Sequence, residues 1–190
     1  MSETKQDIFR VLKAQSGNKA ALNELFISIQ EPLYRYLLSI TGAPANAEDV
    51  LQEVFVIIYR KIYWLREPEL FRPWAYRIAS REAFRWLKRE KRWNEKFLDD
   101  AVTEEIIAPV NECFEPELRA YLPQLLTDIS PASRAVIVLH YLHEMSLEEV
   151  AEVLGLAVGT VKSRLAYGLE SLRKLMRQKG LMPVHEVNDK

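Results

Sequence analysis

Two basic stretches contain the side chains best suited to chemistry in this sequence, and that chemistry is the binding of a polyanion. Residues 81 to 93 carry six basic side chains against two acidic ones, and a second basic stretch covers residues 162 to 179. Between them, residues 95 to 117 carry eight acidic side chains against Lys96 alone. A formal net charge of -1 averages over these blocks and hides them. The segregation predicts two separate contacts with a polyanion.

The side chains that catalysis or metal binding would need do not form recognisable groups. The three histidines, His140, His143 and His185, have no partners at metal-ligand spacing. No Gly-rich phosphate loop and no G-x-S-x-G nucleophile motif is found. We interpret Cys113 as a tolerated thiol rather than a redox sensor. The sequence therefore predicts no enzyme, no metal site, no cofactor and no small-molecule substrate.

The strongest local pattern is a predicted helix-turn-helix over residues 146 to 176. Ser146 and Glu149 have the S-x-x-E spacing of a capping box, which satisfies the first free N–H groups of a helix. Gly155 can adopt positive φ and turn the chain, so a second helix is predicted to start near Val158. The side chains expected to face inward and close the corner are Val150, Ala151, Leu154, Leu156 and Val161.

The second helix of this motif is predicted to have an apolar inner face and a polar outer face. Its core positions are Val161, Leu165, Leu169 and Leu172. Its outer side chains are Thr160, Lys162, Ser163, Arg164 and Tyr167. Such a helix, inserted into the major groove by its N-terminal end, brings these groups to base edges and phosphates. An ordinary helical hairpin with solvated basic residues is the simpler alternative, but the coincidence of capping box, Gly turn and polar second helix favours DNA binding.

Helices are also predicted along the rest of the chain, because apolar residues recur at a period near 3.6 and no sustained period-two alternation occurs. Residues 5 to 41 are predicted to form two helices, broken at Gly17-Asn18 and ended by Gly42-Ala43-Pro44. Further helices are predicted over about 46 to 66 and, after Pro68, about 69 to 92. The core stripe of the third helix is Val50, Leu51, Val54, Phe55, Ile58, Ile62 and Leu65.

A linker separates two predicted domains. Periodicity fades from residue 94 to 116, where Pro109 and Pro116 interrupt an acidic segment. We therefore predict an all-α chain with helical domains at 1–93 and 117–180, an acidic linker at 94–116 and a tail at 181–190. In the second domain Ser130-Pro131 is a predicted helix start. The apolar face that follows is Val136, Ile137, Leu139 and Leu142.

The composition favours a protein of the reducing cytoplasm. The apolar fraction of 48% is ample for cores without disulfides, and the chain has a single cysteine. No apolar run reaches the roughly 20 residues that cross a bilayer, and the N-terminus does not have the pattern of a signal peptide.

Four motifs in this order resemble those of bacterial RNA polymerase sigma factors, specifically the extracytoplasmic-function (ECF) group. They are AEDVLQEVF at 47–55, FRPWAYRIA at 71–79, LKREKR at 87–92 and VGTVKSRL at 158–165. The resemblance covers nearly the whole chain. It implies a factor that binds core RNA polymerase, directs it to promoters and assists DNA melting.

The resemblance also implies roles for individual residues. A coiled coil of the polymerase's largest subunit is expected to contact Glu48, Asp49, Gln52, Glu53 and Val56. The minus-ten DNA residues are expected to be Trp74, Tyr76, Arg77, Arg81, Arg85, Trp86, Lys88 and Arg89. The minus-thirty-five residues are Thr160, Lys162, Ser163, Arg164, Ala166 and Tyr167. Thr160 and Arg164 are expected on phosphates and the others at bases.

Some of these assignments have alternatives. Trp74, Tyr76 and Trp86 suit stacking on single-stranded bases, but are also compatible with core positions. Arg81 and Arg85 depart from the family's usual small polar and acidic residues, which changes the expected minus-ten sequence but not DNA binding.

The resemblance implies further partners: the polymerase flap, promoter DNA and an anti-sigma factor, which would hold the chain at the membrane. The main alternative function is an autonomous helix-turn-helix regulator whose N-terminal domain senses a ligand or dimerises. Such a protein would need a symmetric operator and no polymerase. An RNA-binding or enzymatic helical protein is a weaker alternative.

Overall fold

The computed structural model describes residues 3–93 and 125–179, which are called here the N-terminal and C-terminal parts. In these ranges the prediction of an all-α fold is confirmed, with short 3-10 turns at Ile62–Trp64 and Pro68–Leu70 and a π turn at Val138–Leu142. The N-terminal part contains α1 (Glu3–Gln15), α2 (Lys19–Thr41), α3 (Pro44–Lys61) and α4 (Phe71–Trp93). The C-terminal part contains α5 (Pro131–Ile137), α6 (Leu147–Leu154) and α7 (Val158–Gln178).

The breaks between the first three helices lie where the sequence predicts them. Asn18 caps α2, since its side-chain oxygen accepts a hydrogen bond from the Ala21 N–H at 3.0 Å. Gly42 ends α2 with φ of 78°, and its N–H donates to the Leu38 carbonyl. Pro44 then occupies the first turn of α3, where no helical N–H is needed.

The third helix is shorter than predicted. It ends at Lys61 instead of residue 66, and a 3-10 turn follows. The side-chain amide of Gln15 on α1 donates to the carbonyls of Ile62 and Leu65, at 2.8 and 2.7 Å. Because this distant side chain satisfies the freed carbonyls, the chain can leave the helix early and turn towards α4.

Helix α5 of the C-terminal part begins where the sequence predicts it. The Ser130 side chain accepts a hydrogen bond from the Ser133 N–H, and Pro131 lies in the first turn of α5. The π turn that follows was not predicted, and it rotates the side chains beyond it. Val136, Ile137 and Leu139 are buried as expected, but Leu142 is 40% exposed, so its assignment to the apolar face is wrong.

The buried side chains of both parts form one hydrophobic cluster. In the N-terminal part Tyr36, Ile58 and Phe71 are fully buried, and the predicted α3 stripe is buried except for the half-buried Phe55 and Leu65. Helix α4 packs on α6, and α2 packs on α5 and on the π turn. The two parts are therefore in direct contact.

Several predictions concern positions outside the described residues. They are the linker at 94–116, the beginning of the predicted second domain at 117–124, the tail at 181–190, Cys113 and His185. Across the described ranges, no helix combines the length and apolar character that crossing a membrane requires.

Candidate nucleic-acid and protein interfaces

The helix-turn-helix has the predicted local geometry. The Ser146 hydroxyl accepts a hydrogen bond from the Glu149 N–H at 3.1 Å, and the Glu149 carboxylate accepts one from the Ser146 N–H at 2.8 Å. Gly155 has φ of 68°, and its N–H is bonded to carbonyls in the last turn of α6. These contacts fix the start and the end of α6, and thereby the angle at which α7 leaves the turn.

The outer face of α7 is accessible along the predicted reading positions. Thr160, Lys162 and Tyr167 are exposed, whereas Ser163, Arg164 and Ala166 are half-buried. The Ser163 hydroxyl donates to the Gly159 carbonyl at 2.7 Å, so in this conformation it can only accept a further hydrogen bond. The predicted core positions are all buried: Val161, Leu165, Leu169 and Leu172.

The crossing of α7 over α5 depends on Gly168, which the sequence analysis did not single out. A Cβ atom at Gly168 would lie 2.7 Å from Ile137 Cδ1 and 3.1 Å from Ser133 Cβ. A side chain at this position would therefore have to displace the end of the Ile137 side chain and crowd Ser133, and glycine avoids both contacts. This close approach sets the position of the reading face relative to the rest of the C-terminal part.

The acidic face of α3 is exposed as predicted. Its members Glu48, Asp49, Gln52, Glu53 and Val56 all lie at the surface, and Val56 is 47% exposed. An open groove of about 560 Å³ runs between this face and α4. The side chains that line the groove are Asp49, Gln52, Glu53, Val56, Ile57, Glu82 and Arg85. An exposed apolar residue within an acidic rim suits a basic protein partner.

The structure brings together two predicted sites that the sequence keeps apart. Arg89 Nη2 on α4 lies 3.5 Å from Glu53 Oε2 on α3. Arg85 Nη1 binds both carboxylate oxygens of the buried Glu82, at 2.8 and 2.6 Å. Two arginines assigned to DNA thus border the face assigned to the polymerase. The reach of α4 alongside α3 is a tertiary feature, and no spacing in the sequence indicates it.

The remaining residues assigned to minus-ten DNA differ in accessibility. The exposed ones are Arg81, Arg85, Lys88 and Arg89, and the half-buried ones are Trp74, Arg77 and Trp86. Trp74 packs near Phe71, with ring centroids 6.3 Å apart. Tyr76 is only 5% exposed, so in this conformation its ring offers no surface on which a base could stack.

Tyr76 is buried against the C-terminal part. Its hydroxyl is 2.8 Å from His143 Nδ1, and the two ring centroids are 4.8 Å apart. Burial, and to a lesser extent the positive charge of Arg35, lowers the pKa of His143 to about 4. The His143 imidazole is therefore uncharged at neutral pH, and its Nδ1 can accept a hydrogen bond from the Tyr76 hydroxyl. Burial also raises the pKa of Tyr76, which keeps the phenol protonated.

In the part of the chain that the structure describes, no three His, Cys, Asp or Glu side chains converge, so no candidate metal site is found there. The surfaces with recognisable chemistry are the polar outer face of α7, the basic end of α4 and the acidic face of α3. These surfaces suit recognition of nucleic acid and of a protein.

Two family models match the chain, one in each part that the structure describes. Residues 25–93 match the family model described as Sigma-70 region 2, and residues 125–174 match the one described as Sigma-70, region 4. The chain is 30% identical over 182 residues to the ECF RNA polymerase sigma-E factor of Escherichia coli (strain K12), covering 90% of this chain and 95% of that protein.

Two solved structures have a similar fold. CnrH, solved with the cytosolic domain of CnrY, gives a TM-score of 0.66 at 24% identity over 91% of this chain and 98% of that one. RpoE of Bartonella quintana, solved with the anti-sigma factor NepR, gives 0.64 at 19% identity over 82% of this chain and 96% of that one. The regions, the identity and the coverage together show that the chain belongs to the ECF group of the sigma-70 family: it is a sigma factor that binds core RNA polymerase, directs it to specific promoters and assists DNA melting.

Proposed function

We propose that the acidic face of α3 docks on a coiled coil of the polymerase's largest subunit, while α4 and α7 bind the minus-ten and minus-thirty-five DNA. The main support for these assignments is the exposed acidic face of α3, because its carboxylates would repel DNA and attract a basic partner. On this proposal the N-terminal domain, 1–93, and the C-terminal domain, 117–180, work on either side of the linker.

Contact with duplex DNA is assigned to the N-terminal turns of α7. Lys162 and Tyr167 are exposed and long enough to reach base edges, and Arg164 suits a phosphate. Contact with melting DNA is assigned to α4, where Lys88 and Arg89 would hold the backbone beside Trp86. In the assembled enzyme the C-terminal domain would also touch the polymerase flap.

An anti-sigma factor is the proposed inhibitor of the chain. Support comes from the solved relatives of similar fold, one of which is a complex with an anti-sigma factor. On this proposal the chain is cytoplasmic, is held at the membrane while inhibited, and acts as a polymerase subunit with no catalytic activity of its own.

The docking face can be tested by charge reversal. The variant Asp49→Lys/Glu53→Lys places like charges against a basic partner and should cost several kcal/mol of core binding. The matched control is Glu67→Lys/Glu69→Lys, which changes the same charge at exposed positions between α3 and α4. Affinity for core polymerase is measured by fluorescence titration without DNA, alongside helix content by circular dichroism.

The expected result is weak core binding by the first variant and unchanged binding by the control. Run-off transcription should fall with the core affinity of the variant. Unchanged core binding by the folded α3 variant would reject this face as the dock. Promoter-specific binding by the free chain, without polymerase, would favour an autonomous regulator instead.

A further inference from the structure

The positive charge of the C-terminal part is concentrated on one helix. Among residues 125–179, every exposed lysine or arginine lies on α7 or is Lys179, the residue that follows it. The exposed acidic side chains of the same range lie on other segments, with the exception of Glu170. The proposed base and phosphate contacts end at Tyr167. The basic side chains in the second half of α7 are therefore left without a role.

Two of these side chains share a face with the proposed reading positions. Spacings of three and four residues connect Ser163, Tyr167, Glu170, Lys174 and Arg177, so the five lie along one stripe of the helix. Lys174 and Arg177, called here the distal pair, are exposed. Neither has an ion-pair partner among the residues that the structure describes. Their charges are available to a partner outside the chain.

The end of α7 that carries the distal pair is packed on the core. Leu172 and Met176 are 0% and 2% exposed, and α7 packs against α5. Arg177 lies in the last turn of α7, where a positive charge also stabilises the helix dipole. Lys174 lies before that turn, so the dipole does not account for the pair. The two side chains therefore extend from an anchored helix at a fixed distance from the reading positions.

That distance matches the edge of a DNA groove. Lys174 lies eleven residues after Ser163, which corresponds to about 16 Å along the axis at about 1.5 Å per residue. The major groove is about 12 Å wide, so a helix with Ser163 among the bases has left the groove before Lys174. Helical side chains lean towards the N-terminus of their helix, which directs the distal pair back towards the phosphates at the edge of the groove.

We infer that the distal pair binds DNA phosphates at the edge of the major groove, outside the bases that α7 reads. Glu170 lies between the two contacts, and its carboxylate repels phosphate, so the distal pair has phosphates of its own. Because phosphates carry no sequence information, this contact adds affinity and fixes the orientation of α7 without selecting a sequence. The inference rests on the proposed role of α7 in minus-thirty-five binding.

An acidic protein would suit the same two charges. Phosphates are favoured because the distal pair lies on the same stripe as Ser163 and Tyr167, so the face that meets the bases also presents these cations. The salt dependence of DNA binding separates the two partners, because only phosphate contacts release counterions from DNA.

The test removes the two charges in the full-length chain. The variant is Lys174→Gln/Arg177→Gln, and the matched control Lys5→Gln/Lys19→Gln removes the same charge at exposed positions of the N-terminal part. Affinity for a minus-thirty-five duplex is measured by fluorescence anisotropy between 50 and 200 mM salt. Circular dichroism checks that helix content is unchanged.

The expected result is a shallower salt dependence for the distal variant. Each lost phosphate contact lowers the slope of log affinity against log salt by about 0.9, so the slope should fall by about 2. The loss of affinity relative to the unmodified chain should then be about tenfold larger at 50 mM than at 200 mM salt. The control should keep the slope of the unmodified chain. Unchanged slope and affinity in the distal variant would overturn the inference and leave the pair to an acidic protein.

The position of the phosphates is tested with shortened duplexes. One duplex carries the minus-thirty-five element at its centre, and two others are trimmed, each at one end, to the last base pair of the element. On one of the trimmed duplexes the distal variant should bind as tightly as the unmodified chain, because the phosphates of the distal pair are missing. An equal loss on all three duplexes would overturn the placement outside the reading site.

Failure of the proposed function has a different signature. If the unmodified chain binds the minus-thirty-five duplex no more tightly than a random duplex, the reading role of α7 fails. The salt slopes measured on the random duplex would still decide whether the distal pair binds phosphates.

Discussion

Replacing Gly168 with alanine tests how closely α5 and α7 must approach. The added Cβ would lie 2.7 Å from Ile137 Cδ1 and 3.1 Å from Ser133 Cβ, shorter than ordinary contacts of 3.4–4 Å. Overpacking of this kind costs about 1–3 kcal/mol, whereas removal of a helical glycine gains about 1 kcal/mol. The free energy of unfolding should therefore fall by roughly 0–2 kcal/mol, the difference of these two effects.

The crowding can be separated from helix propensity by two further variants. Gly159→Ala lies on the same helix in open space, so it should gain stability up to about 1 kcal/mol without a clash. Ile137→Val removes the Cδ1 atom that lies nearest to the new methyl group. In that background Gly168→Ala should be less destabilising, with a coupling of about 1 kcal/mol.

Urea unfolding followed by circular dichroism measures the unmodified chain, the three single variants and the double variant, and fluorescence anisotropy measures their affinity for minus-thirty-five duplex. Gly168→Ala should also lower that affinity, because α7 must move to make room and its reading side chains move with it. If Gly168→Ala is as stabilising as Gly159→Ala, or if Ile137→Val brings no relief, the close helix crossing is not what restricts this position.

Three further predictions concern individual side chains. In anisotropy titrations, Lys162→Ala should cost about 1–3 kcal/mol of binding to the specific duplex and relax the preference at one base, whereas Arg164→Ala should weaken binding to specific and random duplexes alike. If Lys162→Ala loses as much affinity for random as for specific duplex, Lys162 does not read a base. Loss of base stacking in Trp86→Ala should cost about 1–3 kcal/mol. Permanganate reactivity should therefore fall more on a duplex promoter than on a premelted one; unimpaired opening would make Trp86 a packing residue. Because burial lowers the pKa of His143 from 6.5 to about 4, the stability due to its neutral form is present above pH 6.5 and is lost as the pH falls towards 4. Between pH 6.5 and 4 the free energy of unfolding, measured by urea denaturation at each pH, should depend less steeply on pH in His143→Gln than in the unmodified chain. The same pH dependence in both chains would reject His143 as the titrating group.

The features that the sequence predicted correctly are those settled within a few residues. The capping box of Ser146 and Glu149, the helix break at Gly17-Asn18 and the helix ends at Gly42 and Gly155 each depend on backbone groups at most four or five positions away. Their chemistry is therefore visible in residue type and spacing. The motif order along the chain was likewise enough to indicate the family.

The errors arose where a distant side chain changes the local outcome. Gln15 satisfies carbonyls 47 and 50 positions away, which allows α3 to end early. The π turn before Leu142 changes which side chains face the core, and apolar periodicity assumes an ordinary helix throughout.

Contacts between helices account for the parts of the site that no pattern indicated. Arg89 meets Glu53 across 36 positions, Tyr76 meets His143 across 67, and Arg134 reaches Ser39 across 95. Each pair requires two separately formed segments to pack at one angle and depth. That packing depends on the shapes of many side chains together and on features such as the missing Cβ of Gly168. Spacing along the chain describes one helix at a time, so it can place a residue on a face but cannot say what lies against that face.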